Sequence, residues 1–180
     1  MLTYRKSFCQ GYKGQTMRLS FPACCLLGAA FCFSLIAIAI SLEVFAHFEP
    51  CPLCLLQRYV FGAIGLLFLI AAIHAPTGRG RYGYGSLLLI TISIGLAIAG
   101  RHVWLVNLPL DEQPPCGPSL AFLMNNYPLL DALRFILKGT ADCGQAGKPF
   151  LGLSLPVWAL GSFGSLFLYV LIILRLKRPT

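Results

Sequence analysis

Four stretches of this chain are long and apolar enough to cross a lipid bilayer, and this feature restricts the fold more than any other. They cover residues of about 21–48, 55–73, 84–100 and 153–174. A helix needs roughly 20 apolar residues to span the hydrocarbon core. With 57% hydrophobic and only 11% charged residues, the chain has too little polar surface for a soluble globule. We therefore predict an all-α fold, a four-helix transmembrane bundle in which residues 1–180 form a single integral membrane domain.

The basic residues are divided unevenly between the two sides of such a bundle. Nine of the 14 lie in the two tails and the short basic turn at 76–81, whereas five lie on the other side, together with all six acidic residues. Positive charge concentrates in cytoplasmic segments, so we predict that both termini are cytoplasmic. Two loops, at about 49–54 and 101–152, then face the periplasm or a topologically equivalent outer compartment. The net charge of +8 does not indicate nucleic-acid binding, because the basic residues form no patch interleaved with aromatic residues.

The first apolar run also resembles a signal peptide, because a basic segment precedes it. Its small-x-small pattern, Ala37-Ile38-Ala39, lies inside the run and not beyond it. A cleavage site is expected after the apolar region. We therefore predict an uncleaved membrane anchor.

The eight cysteines separate into two groups under this topology. Four lie in the cytoplasmic tail or the first span, where we expect packing residues or reduced thiols: Cys9, Cys24, Cys25 and Cys32. Four lie on the periplasmic side, where disulfides can persist: Cys51, Cys54, Cys116 and Cys143. Two cysteine pairs in an oxidising compartment indicate structural disulfides, a metal site or a redox relay.

Cys51 and Cys54 form a C-x-x-C motif immediately before the second span. The N-terminal end of that helix and Arg58, four residues after Cys54, both favour a thiolate. Cys116 and Cys143 are separated by 26 residues with no histidine near either in sequence, so we predict no metal. A structural disulfide across the second loop stays open, because closing a long loop stabilises it. That role does not explain a C-x-x-C motif at the start of a membrane helix.

Residues 128–138 show a second pattern, with apolar residues recurring at helical spacing and Asp131, Arg134 and Lys138 forming a polar stripe. Gly139 follows as a stop signal. This pattern predicts a helix that lies on the membrane surface. It either keeps the second loop mobile near the bilayer or only covers the top of the bundle.

Taken together, these features resemble the DsbB disulfide-bond-formation family. The resemblance extends over nearly the whole chain and rests on more than the C-x-x-C motif, which would be weak evidence by itself. The other matching features are Arg58, His102 at the end of the third span, Cys116, Asp142-Cys143, Phe150-Leu151-Gly152-Leu153, Pro156 and Trp158.

The resemblance implies a bacterial inner-membrane protein-dithiol:quinone oxidoreductase. Such a protein reoxidises a periplasmic DsbA-like dithiol oxidase and passes the electrons to a membrane quinone, ubiquinone or menaquinone. A relay of this kind keeps the bacterial periplasm oxidising. The family pattern implies redox-active disulfides Cys51–Cys54 and Cys116–Cys143.

The resemblance also implies separate roles for the site residues. Cys116 is expected to form the mixed disulfide with the partner, and Cys143 then reaches the first pair. Cys54 is expected to face the quinone beside Arg58, with His102 bonding a quinone oxygen.

Several alternatives stay open at this point. Arg58 could be an interfacial cation whose charged head reaches water, and His102 an ordinary interfacial histidine. The chain could be a paralogue dedicated to one partner oxidase, or a membrane scaffold whose outer cysteines are structural. A vitamin-K-epoxide-reductase-like protein shares the C-x-x-C and quinone theme, but its motif is expected late in the bundle. The sequence does not specify the quinone, the partner or the oligomeric state.

Overall fold

The computed structural model describes residues 20–46, 51–76, 78–109, 122, 125–138, 149–150 and 152–175. Within these residues, four helices are long and apolar enough to cross a membrane: α1 (Phe21–Ala46), α2 (Pro52–His74), α3 (Arg79–Val106) and α5 (Leu155–Arg175). Between α3 and α5 lie a short helix, α4 (Leu129–Lys138), and the strands β1 (Pro149–Phe150) and β2 (Leu153–Ser154). The predicted four-helix membrane fold is confirmed.

The third helix extends beyond its predicted span at both ends. The apolar run covers about 84–100, whereas α3 begins at Arg79 and ends at Val106. A helix can continue past the apolar segment until a residue interrupts it, and the next proline is Pro109. Gly78 precedes the helix with φ of 59°, a conformation that glycine adopts readily. The basic stretch predicted as a turn therefore supplies the first helical residues, and the first residues of the predicted second loop, 101–106, are helical.

The fourth long helix begins after a small antiparallel hairpin. Pro149 pairs with Ser154 and Phe150 with Leu153, and the intervening Gly152 has φ of 84°. This positive φ favours glycine at the turn. The hairpin occupies the first two residues of the predicted last span, so α5 begins at Leu155.

Adjacent long helices pack in chain order, α1 on α2, α2 on α3 and α3 on α5. The rings of Phe61 and Phe163 stack with centroids 4.0 Å apart in the core. Gly95 of α3 leaves room for the Phe163 ring, because a Cβ atom at position 95 would lie 2.5 Å from that ring. The Tyr169 hydroxyl donates to the carbonyl oxygen of Cys24 at 2.8 Å, which links α5 to α1. Small residues such as Gly95 at contacts between helices are typical of helices packed within membranes.

Candidate functional site

Cys51 is the N-cap residue of α2. Its sulfur accepts a hydrogen bond from the backbone N–H of Cys54 at 3.3 Å. Pro52 follows at the start of the helix, where its fixed φ fits and its missing N–H has no intrahelical partner to lose. The N-terminus of a helix carries partial positive charge. The C-P-L-C sequence therefore holds the Cys51 sulfur where a thiolate is stabilised.

The second cysteine of the motif lies one turn along the same helix. The sulfur atoms of Cys51 and Cys54 are 3.0 Å apart. Cys51 is buried and Cys54 is half-buried. The structure thus brings together the first predicted cysteine pair, with the Cys54 side chain the more accessible of the two.

His102 of α3 approaches this pair from across the helix interface. Its Nε2 atom lies 3.5 Å from the Cys51 sulfur, and its Nδ1 atom lies 3.2 Å from the side-chain nitrogen of Gln57. His102 is fully buried and Gln57 nearly so. His102 was predicted from the sequence, whereas Gln57 was not. The available signal was an amide side chain inside an otherwise apolar span.

Arg58 makes a different set of contacts, directed toward α1. Its Nη1 donates to Oε2 of Glu43 at 2.5 Å, and its Nη2 donates to the carbonyl oxygen of Ala39 at 3.1 Å. The Arg58 side chain is 22% exposed and that of Glu43 is 38% exposed. Arg58 is therefore a paired, partly buried cation. Glu43 was not predicted from the sequence, although an acidic residue inside an apolar run usually has a partner.

The thiol pair lies at a small apolar cluster, with Cys51 inside it and Cys54 packed against it. The cluster combines the side chains of Cys51, Leu53, Ile98, Leu105 and Ile136. Ile136 belongs to α4, and the Nε of Arg101 on α3 donates to the carbonyl oxygen of Leu137 at 3.3 Å. The helix predicted at 128–138 is confirmed as α4, and its Ile136 belongs to the same apolar cluster as Cys51. The position of α4 on a membrane surface stays a prediction.

Cys116 and Cys143 lie outside the described residues, so their pairing and roles stay predictions, and Cys9 lies outside them as well. The three cysteines of α1, in contrast, are buried in the main apolar core, as expected for packing residues: Cys24, Cys25 and Cys32.

The site also contains a set of atoms that could hold a metal ion. Donor atoms of Cys51, Cys54 and His102 all lie within 4.8 Å of one another. Two cysteines and a histidine with one open position form a known catalytic zinc set. A metal-binding histidine usually donates its other N–H to an acceptor, whereas here the amide nitrogen of Gln57 faces that atom. This arrangement favours an imidazole–thiol contact, and the expectation of no metal stays a prediction.

Comparison with known proteins gives a consistent result. Residues 22–173 match the family model described as "Disulfide bond formation protein DsbB". Two proteins named "Disulfide bond formation protein B" illustrate the likeness. The Methylococcus capsulatus protein is 45% identical over 144 residues, covering 80% of this chain and 88% of the relative. The Nitrosococcus oceani protein is 41% identical over 162 residues, covering 90% and 95%. No solved structure matches the chain significantly.

Proposed function

The chain belongs to the DsbB family of disulfide bond formation proteins, and from that premise we propose how its residues reoxidise a DsbA-like dithiol oxidase and pass the electrons to a membrane quinone. It is a multi-pass protein of the bacterial inner membrane. The observation that carries the proposal is the position of the Cys51 sulfur, at a helix N-terminus and 3.0 Å from the Cys54 sulfur. Two thiols so placed can form and break a disulfide.

In the proposed relay, the second cysteine pair, Cys116 and Cys143, reacts first. A thiolate of the reduced partner attacks the sulfur of Cys116, and the bond between Cys116 and Cys143 breaks with its electron pair on Cys143. The partner's second thiolate then attacks its own mixed-disulfide sulfur and releases Cys116 as a thiolate. The partner leaves as a disulfide, having lost two electrons and two protons.

The next step transfers the oxidising equivalent between the two pairs. The Cys143 thiolate attacks the Cys51 sulfur, and the Cys51–Cys54 bond breaks with its electron pair on Cys54. The Cys116 thiolate then attacks Cys143, which re-forms their disulfide and releases Cys51 as a thiolate. The helix N-terminus stabilises both thiolates of the first pair. Loss of two electrons from that pair restores the Cys51–Cys54 disulfide.

The residues around Cys54 suit a quinone as the electron acceptor. Arg58 lies four residues after Cys54, so both side chains project from the same face of α2. The guanidinium is partly exposed and has N–H groups beyond the two that contact Glu43 and Ala39. The next residue after Arg58, Tyr59, is exposed, and its aromatic side chain suits contact with a quinone ring or its isoprenoid tail. A bound quinone supplies a two-electron, two-proton sink, and we propose that Arg58 and Cys54 hold it.

We assign His102 to the thiol side of the site. The resemblance implied a hydrogen bond from His102 to a quinone oxygen. In the structure its two ring nitrogens face Cys51 and Gln57, so His102 would have to give up one of these two contacts in order to bond a quinone oxygen. An effect of His102 on the quinone through Cys51 needs no such change.

We propose that the Cys51 end of the bundle faces the periplasm. The opposite end carries Arg79 and Arg81 at the start of α3 and Arg175 at the end of α5. Concentrated basic residues favour the cytoplasmic side. Both termini are then cytoplasmic, and the partner oxidase meets the second loop on the other side.

The proposal is tested by separating the two cysteine pairs. Cys116→Ser and Cys143→Ser should each still allow small dithiols to reduce quinone through Cys51 and Cys54, but should fail to oxidise the protein partner. Cys32→Ser serves as the control for loss of a cysteine outside the relay. Normal partner oxidation by both second-pair variants would contradict the relay, and failure of acid-quenched samples to show any mixed disulfide would favour a scaffold with structural disulfides.

A further inference from the structure

We propose that Gln57 is a positioning residue that fixes the protonation of His102, so that the imidazole Nε2–H donates to the sulfur of Cys51. Nothing in the sequence pattern assigned a role to Gln57. The inference concerns three side chains on two helices, Gln57 and Cys51 on α2 and His102 on α3. It rests on the proposed function only for its catalytic consequence.

The hydrogen-bonding capacity of a neutral imidazole is limited. Such a ring has one N–H donor and one acceptor nitrogen, and its partners decide which nitrogen holds the proton. The side-chain nitrogen of Gln57 can only donate, and it lies 3.2 Å from Nδ1 of His102. Nδ1 is then the acceptor and the proton resides on Nε2. That atom faces the Cys51 sulfur at 3.5 Å.

Burial makes this arrangement more than a surface contact. Gln57 is 5% exposed, Cys51 3% and His102 0%. Water therefore cannot readily replace any of the three partners. A buried polar group that loses its partner is costly, and hydrogen bonds are stronger where the local dielectric constant is low. The amide of Gln57 is thus well placed to hold one tautomer.

The consequence falls on the Cys51 sulfur. It receives the backbone N–H of Cys54 at 3.3 Å, and with the proton on Nε2 it receives a second donor from His102. Two donors stabilise the thiolate more than the neutral thiol. In the proposed relay, Cys51 becomes a thiolate when Cys116 displaces it from Cys143. Gln57 therefore acts on Cys51 through His102, without contact with the partner or the quinone.

The first experiment reads the tautomer directly. The chain has three histidines, so ¹⁵N-histidine labelling of the full chain in lipid nanodiscs gives few signals, and a His102→Gln sample assigns the relevant one. The reduced wild-type protein at neutral pH should show His102 as the Nε2–H tautomer. Finding the Nδ1–H tautomer, or an imidazolium, would overturn the proposal whatever the activity of the protein. This outcome is independent of the electron acceptor and of the second cysteine pair.

The second experiment removes the amide. Gln57→Met keeps an unbranched side chain of similar length but has no donor, and Leu56→Met is the adjacent control. Gln57→Met should give a mixture of His102 tautomers and slow alkylation of Cys51 by iodoacetamide by roughly three- to tenfold, the loss expected for about one hydrogen bond. Labelling of Cys51, which we expect to proceed through opening of α4, is measured by peptide mass spectrometry in a protein with Cys54→Ser, and continued protection of the buried Cys25 and Cys32 verifies the fold. An unchanged tautomer and unchanged Cys51 labelling in a folded Gln57→Met protein would contradict the proposal. If the variant unfolds, the wild-type tautomer decides.

Discussion

Cys51 and Cys32 are both almost completely buried, yet their surroundings differ in kind. Cys32 lies in the middle of α1, inside the main apolar core and against the close approach of α2 at Gly65. Cys51 lies at the N-terminus of α2, where a backbone N–H and the His102 imidazole face its sulfur. Burial among apolar groups favours an inert thiol, whereas donors and a helix N-terminus favour a reactive thiolate. The comparison teaches that hydrogen-bond donors, and not burial, separate the redox end of this bundle from its packing core.

The largest effect should follow from removing the redox thiols themselves. Cys54→Ser or Cys51→Ser should lower the rate of dithiol-dependent quinone reduction by roughly three orders of magnitude or more, as expected when a reacting nucleophile is lost. Cys32→Ala should retain most of the rate. The measurement is quinone absorbance with a small dithiol as donor. Comparable losses in all three variants would remove the distinction between the two regions.

The packing core should respond in stability and not in thiol chemistry. In Gly95→Ala the new Cβ would meet the Phe163 ring at 2.5 Å, so we expect a loss of about 1–3 kcal/mol in the free energy of unfolding. Gly100→Ala, on the same helix with nothing within 4 Å of its added Cβ, is the matched control. Both are compared by thermal unfolding in detergent. Below the unfolding midpoint, Cys51 alkylation should be equal in both variants, and a lower rate in Gly95→Ala alone would mean that packing and reactivity are coupled.

Arg58→Ala should weaken the use of quinone more than it weakens folding. A partly buried cation beside a developing negative charge contributes on the order of 1 kcal/mol, so we expect roughly a five- to tenfold loss in turnover or apparent quinone affinity. Arg58→Lys retains the charge but not the forked contacts to Glu43 and Ala39, and should lose less. If affinity and turnover both stay unchanged in Arg58→Ala, the residue is only an anchor between α2 and α1.

The smallest effect should come from α4, whose Ile136 belongs to the apolar cluster that contains Cys51. Ile136→Ala removes the α4 side chain that packs on the cluster around Cys51, so α4 should open more often and Cys51 alkylation should rise by about two- to fivefold. Leu130→Ala on the same helix is the control, because Leu130 is 61% exposed. Equal labelling in the two variants would show that α4 does not restrict access to the thiol.

Local sequence patterns predicted the parts of this structure that depend on local physics. The four apolar runs gave the long helices, the spacing of Leu130, Leu133 and Ile136 gave α4, and the motif before an apolar run placed Cys51 at a helix start. The contacts between helices were not predictable in this way. Whether His102 reaches Cys51 depends on how α3 rotates and slides against α2, which no pattern within one helix determines.

Glu43 and Gln57, the two site residues that were not predicted, differ in how clearly the sequence indicates them. Glu43 was detectable, because a charged residue within an apolar run needs a partner. Arg58, near the start of the next span and therefore near the same membrane surface, was the available cation. Gln57 carries a weaker signal, an amide side chain inside an apolar run, because an uncharged amide is tolerated in a membrane helix. Its importance emerges only when Nδ1 of His102 lies against it.

Electron flow from a protein dithiol through the outer cysteines to quinone is the central step of the proposed function. The direct measurement mixes the purified protein anaerobically with a reduced thioredoxin-like partner and quinone, and follows quinone absorbance together with the partner's redox state. We predict that one quinone is reduced for each partner disulfide formed, over many turnovers, and that Cys54→Ser abolishes both. Partner oxidation at an undiminished rate in quinone-stripped, oxygen-free protein would contradict the account and require a different electron acceptor.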